Sequence, residues 1–106
     1  MKTTETRFTI QTTVSVNDAL WNELQLIALE HGITTSRQLR IIIMRWLIYV
    51  QRNNDESTGT NHDYLPVTKH QIRMPRMAWE FLEMTRRNKS RFVNDALSMF
   101  INGSTI

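Results

Sequence analysis

The side chains of this sequence that could do chemistry are hydrogen-bond donors and acceptors in two alternating segments. They share a spacing of two residues and are Gln11, Thr13, Ser15, Lys69, Gln71 and Arg73. That spacing places each set on one face of an extended strand. Amide, hydroxyl and cationic groups arranged in this way can bind a polar surface through hydrogen bonds. The alternative interpretation is the solvated face of an ordinary surface strand.

Residue types that carry catalysis or bind metals are few and dispersed. The chain has no cysteine, which excludes disulfides, zinc–thiolate sites and thiol catalysis. His31, His62 and His70 fall on a helix end, a linker and a strand, and no spacing places two of them on one face with a carboxylate. Neither a nucleophile elbow nor a glycine-rich phosphate loop is present. We therefore expect no enzyme, no metal, no cofactor and no small-molecule substrate.

Composition points to a small globular protein with a mild preference for polyanions. Its 106 residues are 41% hydrophobic and 22% charged, which fits one small domain or two very small ones. Lys and Arg number 13 against 10 Asp and Glu, a net charge of +3 that favours a polyanionic partner without requiring one. The N-terminus is polar, and the apolar run over residues 41–50 is too short to span a bilayer. We expect a cytoplasmic protein with no membrane partner.

The first half of the chain predicts a strand followed by a helix. Alternation over residues 8–16 gives the strand a buried face made of Phe8, Ile10, Thr12, Val14 and Val16. A helix begins at Asp18, with Asn17 or Ser15 as its N-cap, and ends at Gly32.

A second helix is predicted from about Arg37 to Gln51, capped by one of Thr34, Thr35 and Ser36. Apolar residues cover almost every side of it: Leu39, Ile41, Ile42, Ile43, Met44, Trp46, Leu47, Ile48, Tyr49 and Val50. Such a helix needs burial from several directions. A second motif or a second subunit must therefore cover it.

The same pattern returns after an aperiodic stretch. Residues 53–66 have few apolar groups and predict a flexible linker. Residues 69–74 alternate again, and Pro75 ends that strand and can open a helix. A short helix with its apolar face at residues 78–82 follows, and Ser90 caps a last helix that Gly103 terminates. Strand, helix and helix thus occur twice.

These segments resemble the ribbon-helix-helix family, the Arc, MetJ and CopG type of repressor. In the first half, TVSVN at residues 13–17 and IALEHGITTSRQLR at residues 27–40 match the family's strand, its glycine-containing turn and the start of its second helix. In the second half, QIRMP at residues 71–75 and KSRFVNDAL at residues 89–97 match the strand and the last helix. Between them the first helix is about one turn shorter and no glycine closes it. Two units in one chain are similar to the TraY type of plasmid transfer protein.

The resemblance implies a mainly α fold with a two-stranded antiparallel β-ribbon, in the order β-α-α-β-α-α. The motifs would cover residues 8–52 and 67–103 and form one compact domain with an intertwined four-helix core. In the family the ribbon enters the major groove of double-stranded DNA. The linker permits residues 11–16 to pair with residues 69–74 of the same chain or of another, so both arrangements stay open.

The resemblance also implies roles for individual residues. The six alternating side chains occupy the family's base-reading positions, where Arg73 and Lys69 suit guanine, the glutamines suit adenine, and Thr13 and Ser15 suit either base or a thymine methyl. The starts of the second helices occupy its phosphate-binding positions: Thr34, Thr35, Ser36, Arg37, Lys89, Ser90 and Arg91. Ordinary capping by Ser36 or Ser90 is compatible with that role.

Other cations and the aromatic residues are less informative. Arg7, Arg40, Arg86 and Arg87 can add nonspecific attraction to DNA, or they are ordinary solvated charges. Trp21, Trp46 and Trp79 keep register with aliphatic neighbours, so we expect core packing and not a stacking platform for bases.

Three functions remain at this point. The leading expectation is a sequence-specific repressor or autoregulator, with copies that can self-associate on DNA. The alternatives are an accessory DNA-binding protein of a plasmid or mobile element, and an antitoxin or protein-interaction module.

Overall fold

The protein is mainly helical, with a two-stranded antiparallel sheet. A computed structural model describes residues 8–53 and 65–102. Its elements follow the predicted order: β1 (Thr9–Asn17), α1 (Asp18–His31), α2 (Thr35–Asn53), β2 (Val67–Pro75), α3 (Arg76–Thr85) and α4 (Lys89–Ile101). The predicted linker lies largely outside the described residues, as do Arg7, His62 and Gly103.

The two strands pair with each other inside one chain. Thr9 lies opposite Pro75 and Asn17 lies opposite Val67, so the strands match along their whole length. The residue just before β2 is hydrogen-bonded to the start of α1: the Asp18 N–H donates to the Pro66 carbonyl at 3.0 Å. Of the two arrangements that the sequence left open, the structure therefore has the pairing within one chain.

Alternation along the strands separates an inner face from an outer one. Ile10, Val14, Val16, Ile72 and Met74 are buried, as expected for a strand with one face on a core. Two residues of the predicted inner face differ. Thr12 is half-buried. Phe8 is 73% exposed and precedes the first paired residue, although its carbonyl accepts from the Arg76 N–H at the start of α3 at 2.8 Å.

The helix boundaries are set by short polar side chains and left-handed residues. Asn17 caps α1 by accepting from the Leu20 N–H at 3.0 Å, and Gly32 closes that helix with φ 69°. Thr34 caps α2, accepting from the Arg37 N–H at 3.1 Å. Asn88 caps α4, accepting from the Arg91 N–H.

One expectation about these boundaries was wrong. Ser90 is not the cap of α4, because it lies inside the first helical turn and its hydroxyl accepts from the Ser15 N–H. Of the three candidates for the cap of α2, Thr34 takes the position, and Ser36 lies inside the first turn. The missing glycine after α3 is replaced by Arg86, which adopts the left-handed conformation itself with φ 57°. As predicted, α3 is shorter than α1, with 10 residues against 14.

One core joins both halves of the chain beneath the ribbon. The buried apolar residues of α2 are the predicted stripe: Leu39, Ile42, Ile43, Trp46, Leu47 and Val50. They pack with Phe92, Val93, Ala96 and Leu97 of α4 in a single hydrophobic cluster. The second half thus covers α2 on most sides, but Ile41 and Ile48 remain 37% and 49% exposed.

Within the described ranges, 8–53 and 65–102, no helix is both long enough and apolar enough to cross a bilayer.

Candidate functional site

The six alternating polar side chains come together on the outer face of the ribbon. The register places Gln11 opposite Arg73, Thr13 opposite Gln71, and Ser15 opposite Lys69. Residues two apart on a strand are separated by roughly 6.6 Å, so the three pairs extend over about 13 Å. Thr13, Lys69, Gln71 and Arg73 are exposed, and Gln11 and Ser15 are half-buried.

Hydrogen bonds across the ribbon order part of this face. The Gln11 amide donates from Nε2 to Oε1 of Gln71 at 2.7 Å. The Arg73 guanidinium donates to the Thr9 hydroxyl at 3.4 Å. The two glutamines are thus coupled diagonally, and each keeps further donor or acceptor capacity for a ligand.

The outer face carries positive charges and no negative ones. Neither strand contains Asp or Glu, whereas Lys69 and Arg73 place a cation at each end of the array. Both cations come from β2, so the β1 edge of the face is neutral. The surface therefore favours an anionic ligand that presents hydrogen-bond acceptors.

Asn94 attaches the ribbon to α4. Its amide accepts from the Asn17 N–H at 2.8 Å and donates to the carbonyls of Ser15 and Ser90, each at 2.8 Å. The Ser90 hydroxyl accepts from the Ser15 N–H at 2.9 Å. These bonds pair backbone groups on the strand edge that β2 does not cover. Asn94 is 3% exposed.

Asn94 is not among the functional residues predicted from the sequence. The spacing of Ser90 and Asn94 was a possible sequence signal, because residues four apart lie on the same face of a helix and can bond the backbone of one neighbouring strand. The signal is weak, since it requires knowing which strand lies beside the helix.

The start of α4 is partly committed to internal contacts. Lys89 forms an ion pair with Glu83 at 2.5 Å and lies 5.8 Å from the Trp79 ring centroid. The Ser90 hydroxyl bonds β1, as described above. Arg91 is half-buried. The predicted phosphate-binding residues Lys89, Ser90 and Arg91 do lie at a helix start. The side chains of Lys89 and Ser90, however, also make contacts inside the fold.

The start of α2 is more open. Thr34, Ser36 and Arg37 are exposed, and Thr35 is half-buried. The Arg40 guanidinium donates to the Ser36 hydroxyl at 2.8 Å. Neither α2 nor α4 has an acidic residue in its first turn, so neither helix offsets the positive end of its dipole with a carboxylate of its own.

The two helix starts flank opposite ends of the ribbon. Ser90 of α4 contacts Ser15, near the end of β1. Arg37 of α2 lines a groove together with Thr9 and Pro75, at the start of β1 and the end of β2. The array of polar pairs thus lies between two helix N-termini.

Arg87 and the three tryptophans have structural contacts. Arg87 lies over the Phe81 ring at 5.2 Å. Trp46 is buried, Trp21 stacks on His70 with ring centroids 3.7 Å apart, and Trp79 packs against the core. The expectation of core packing for the tryptophans is confirmed.

Histidines and carboxylates form no metal site in the described ranges, where no group of three potential ligands occurs. His31 hydrogen-bonds to Gln38 at 2.7 Å, and His70 lies against Trp21.

Comparison with protein families, with curated proteins and with solved structures found no match to this chain.

Proposed function

We propose that this protein binds double-stranded DNA sequence-specifically by inserting its β-ribbon into the major groove, and acts as a repressor or autoregulator. The fold would be a tandem form of the ribbon-helix-helix architecture, completed within one chain. The observation that supports the proposal most directly is the carboxylate-free outer face, with its paired polar side chains between two helix starts.

Dimensions and chemistry agree with this function. The major groove is about 12 Å wide and admits a two-stranded ribbon. The face offers guanidinium, ammonium, amide and hydroxyl groups, which are the groups that read base edges. Helix N-termini on both sides are suited to phosphates, whose contacts set the position of the ribbon without reading sequence.

Selection of bound sequences from a random pool of duplex DNA, at two salt concentrations, tests the proposal. We expect a defined motif at both concentrations and an affinity that falls steeply with salt, because phosphate contacts release counterions. Binding without any enriched sequence would leave nonspecific DNA binding, and no binding at low salt would refute the function altogether.

Two double variants distinguish base readout by the ribbon from general electrostatic attraction to DNA. Lys69→Ala/Arg73→Ala removes both cations of the outer face, and Arg52→Ala/Arg86→Ala removes the same charge from exposed positions outside the ribbon and the helix starts. We expect the first pair to abolish enrichment of the motif and the second to retain it. Equal effects of the two pairs would contradict readout by the ribbon.

A further inference from the structure

An open groove of about 480 Å³ lies beneath one end of the ribbon, along α2. Its floor is apolar and includes Ile41, Met44 and Ile48. These residues follow one another at helical spacing, so they form one stripe along the outer side of α2. Phe8, at the end of the ribbon, adds a ring that is 73% exposed.

Arginines surround this stripe. Arg40 borders one side of it, Arg45 borders the other, and Arg37 lies at its N-terminal end. Arg45 is exposed, and its guanidinium forms no ion pair with any residue of ranges 8–53 and 65–102. An apolar stripe inside a cationic border is suited to an apolar partner surface that carries carboxylates.

The chain itself presents such a surface on α1. Leu26 and Leu29 are 55% and 76% exposed and lie three residues apart on its outer side. Glu23 and Glu30 are exposed and border this pair. Neither carboxylate has an ion-pair partner among the residues that the structure describes.

The exposed face of α3 fits less well. It also combines apolar and acidic residues, with Met77 and Met84 62% and 78% exposed. Its carboxylates, however, already pair locally: Glu80 lies 4.0 Å from Arg76, and Glu83 binds Lys89. The acidic border of α1 is therefore the better complement to the arginines.

We propose that the groove along α2 binds the outer face of α1 from a second copy of this protein. The contact joins two different surfaces, so each copy keeps one groove and one α1 face free after pairing. Contacts of this kind build rings when the rotation between successive copies closes and open rows when it does not, and they do not build two-fold symmetric dimers. The inference does not depend on DNA binding, because it concerns the free protein.

Sedimentation velocity of the full chain over a range of concentrations, at low salt, tests the contact. We expect a sedimentation coefficient that rises with concentration and falls back when salt is added, because the charges at the border of the contact are screened. A chain that stays monomeric up to the highest soluble concentration overturns the proposal.

Charge reversal on each surface gives a sharper test. Arg45→Glu in the groove, and Glu23→Arg/Glu30→Arg on α1, should each weaken association about tenfold or more by placing like charges opposite one another. An equimolar mixture of the two variants should associate again. In the mixture, the acidic groove of the Arg45→Glu variant can bind the basic α1 face of the other variant. The unaltered groove of that variant can bind the unaltered α1 face of the first.

Arg52→Glu is the matched control, because it makes the same charge change at an exposed position of α2 outside the groove. It should associate like the unaltered chain, and thermal unfolding should verify that every variant is folded. Failure of the mixture to associate overturns the proposal. So does an Arg45→Glu variant that loses DNA affinity but associates normally, since the groove would then serve DNA phosphates.

Discussion

At the residue scale, polar side chains have different roles on the outer face of β1 and along its uncovered edge. On the outer face, Gln11 bonds Gln71 and remains accessible to a ligand. On the uncovered edge, the backbone of Ser15 and Asn17 is bonded to α4 by Ser90 and Asn94. The ribbon is thereby held in place on the helices while its outer side chains stay available.

Removing Asn94 should destabilise the fold without touching the outer face. Asn94→Ala leaves the Asn17 N–H and the Ser15 carbonyl, both on half-buried residues, without this partner, at a total cost of about 1–3 kcal/mol. We expect a clear drop in the free energy of unfolding, measured by urea denaturation. Asn22→Ala, at an exposed position of α1, is the control and should change it by less than about 0.5 kcal/mol. Equal effects of the two substitutions would show that Asn94 does not secure the ribbon.

Arg73 should determine base preference as well as affinity. A guanidinium that bonds two acceptors of one base discriminates by about 1–3 kcal/mol. Arg73→Ala should therefore flatten the preference at one position of the selected motif, measured by competition with single-base variants of the site. If Arg73 contacts only phosphate, affinity falls equally for every competitor and the assignment fails.

At the element scale, the two halves of the chain form the same kind of turn between their helices with different residues. The turn between α1 and α2 uses Gly32 in the left-handed conformation, and the turn between α3 and α4 uses Arg86. The N-caps that follow are Thr34 and Asn88, two residues later in both halves. The backbone path is thus conserved between the halves, whereas the side chains that support it are not.

Exchanging residue types at these two turns should shift stability in opposite directions. Arg86→Gly relieves the left-handed strain of a residue with a Cβ and should raise the free energy of unfolding by about 0.5–1 kcal/mol. Gly32→Ala introduces that strain and should lower it by about 1 kcal/mol, although open space surrounds the position. Chemical denaturation of both variants checks the signs. A loss of stability in Arg86→Gly would mean that the arginine side chain contributes more than its backbone costs.

At the scale of the whole molecule, pairing of β1 with β2 makes one chain sufficient for the ribbon. Each strand presents a different set of outer residues, so the face has a neutral edge and a cationic edge. A DNA site read by such a face need not be palindromic. Self-association through the α2 groove would relate each ribbon to the next by the same rotation and translation.

Folding of this protein should not depend on its concentration. The core of residues from both halves is complete in one chain, so no partner is needed to bury it. At moderate salt, which suppresses the contact proposed for the groove, the urea midpoint should be the same at about 1 and 20 µM protein. A midpoint that rises with concentration would indicate that strands pair between chains instead.

Local pattern in the sequence was sufficient for the elements and for the outer face of the ribbon. The period of two over residues 8–16 and 69–74, the helical stripes and the stop at Gly32 depend on near neighbours. The elements appear in the predicted order, with strands over Thr9–Asn17 and Val67–Pro75. For the same reason, the alternating positions from Gln11 to Ser15 and from Lys69 to Arg73 could be assigned to one face before the fold was known.

Tertiary structure decided what depends on distant neighbours. It selected pairing within the chain, gave Asn94 and Ser90 their bonds to β1, and left Phe8, Ile41 and Ile48 exposed. It also paired Lys89 with Glu83 and so changed the character of one predicted helix start. Those outcomes follow from the way two separate halves pack, because whether a side chain is buried, bonded or exposed is set by contacts far away in the sequence.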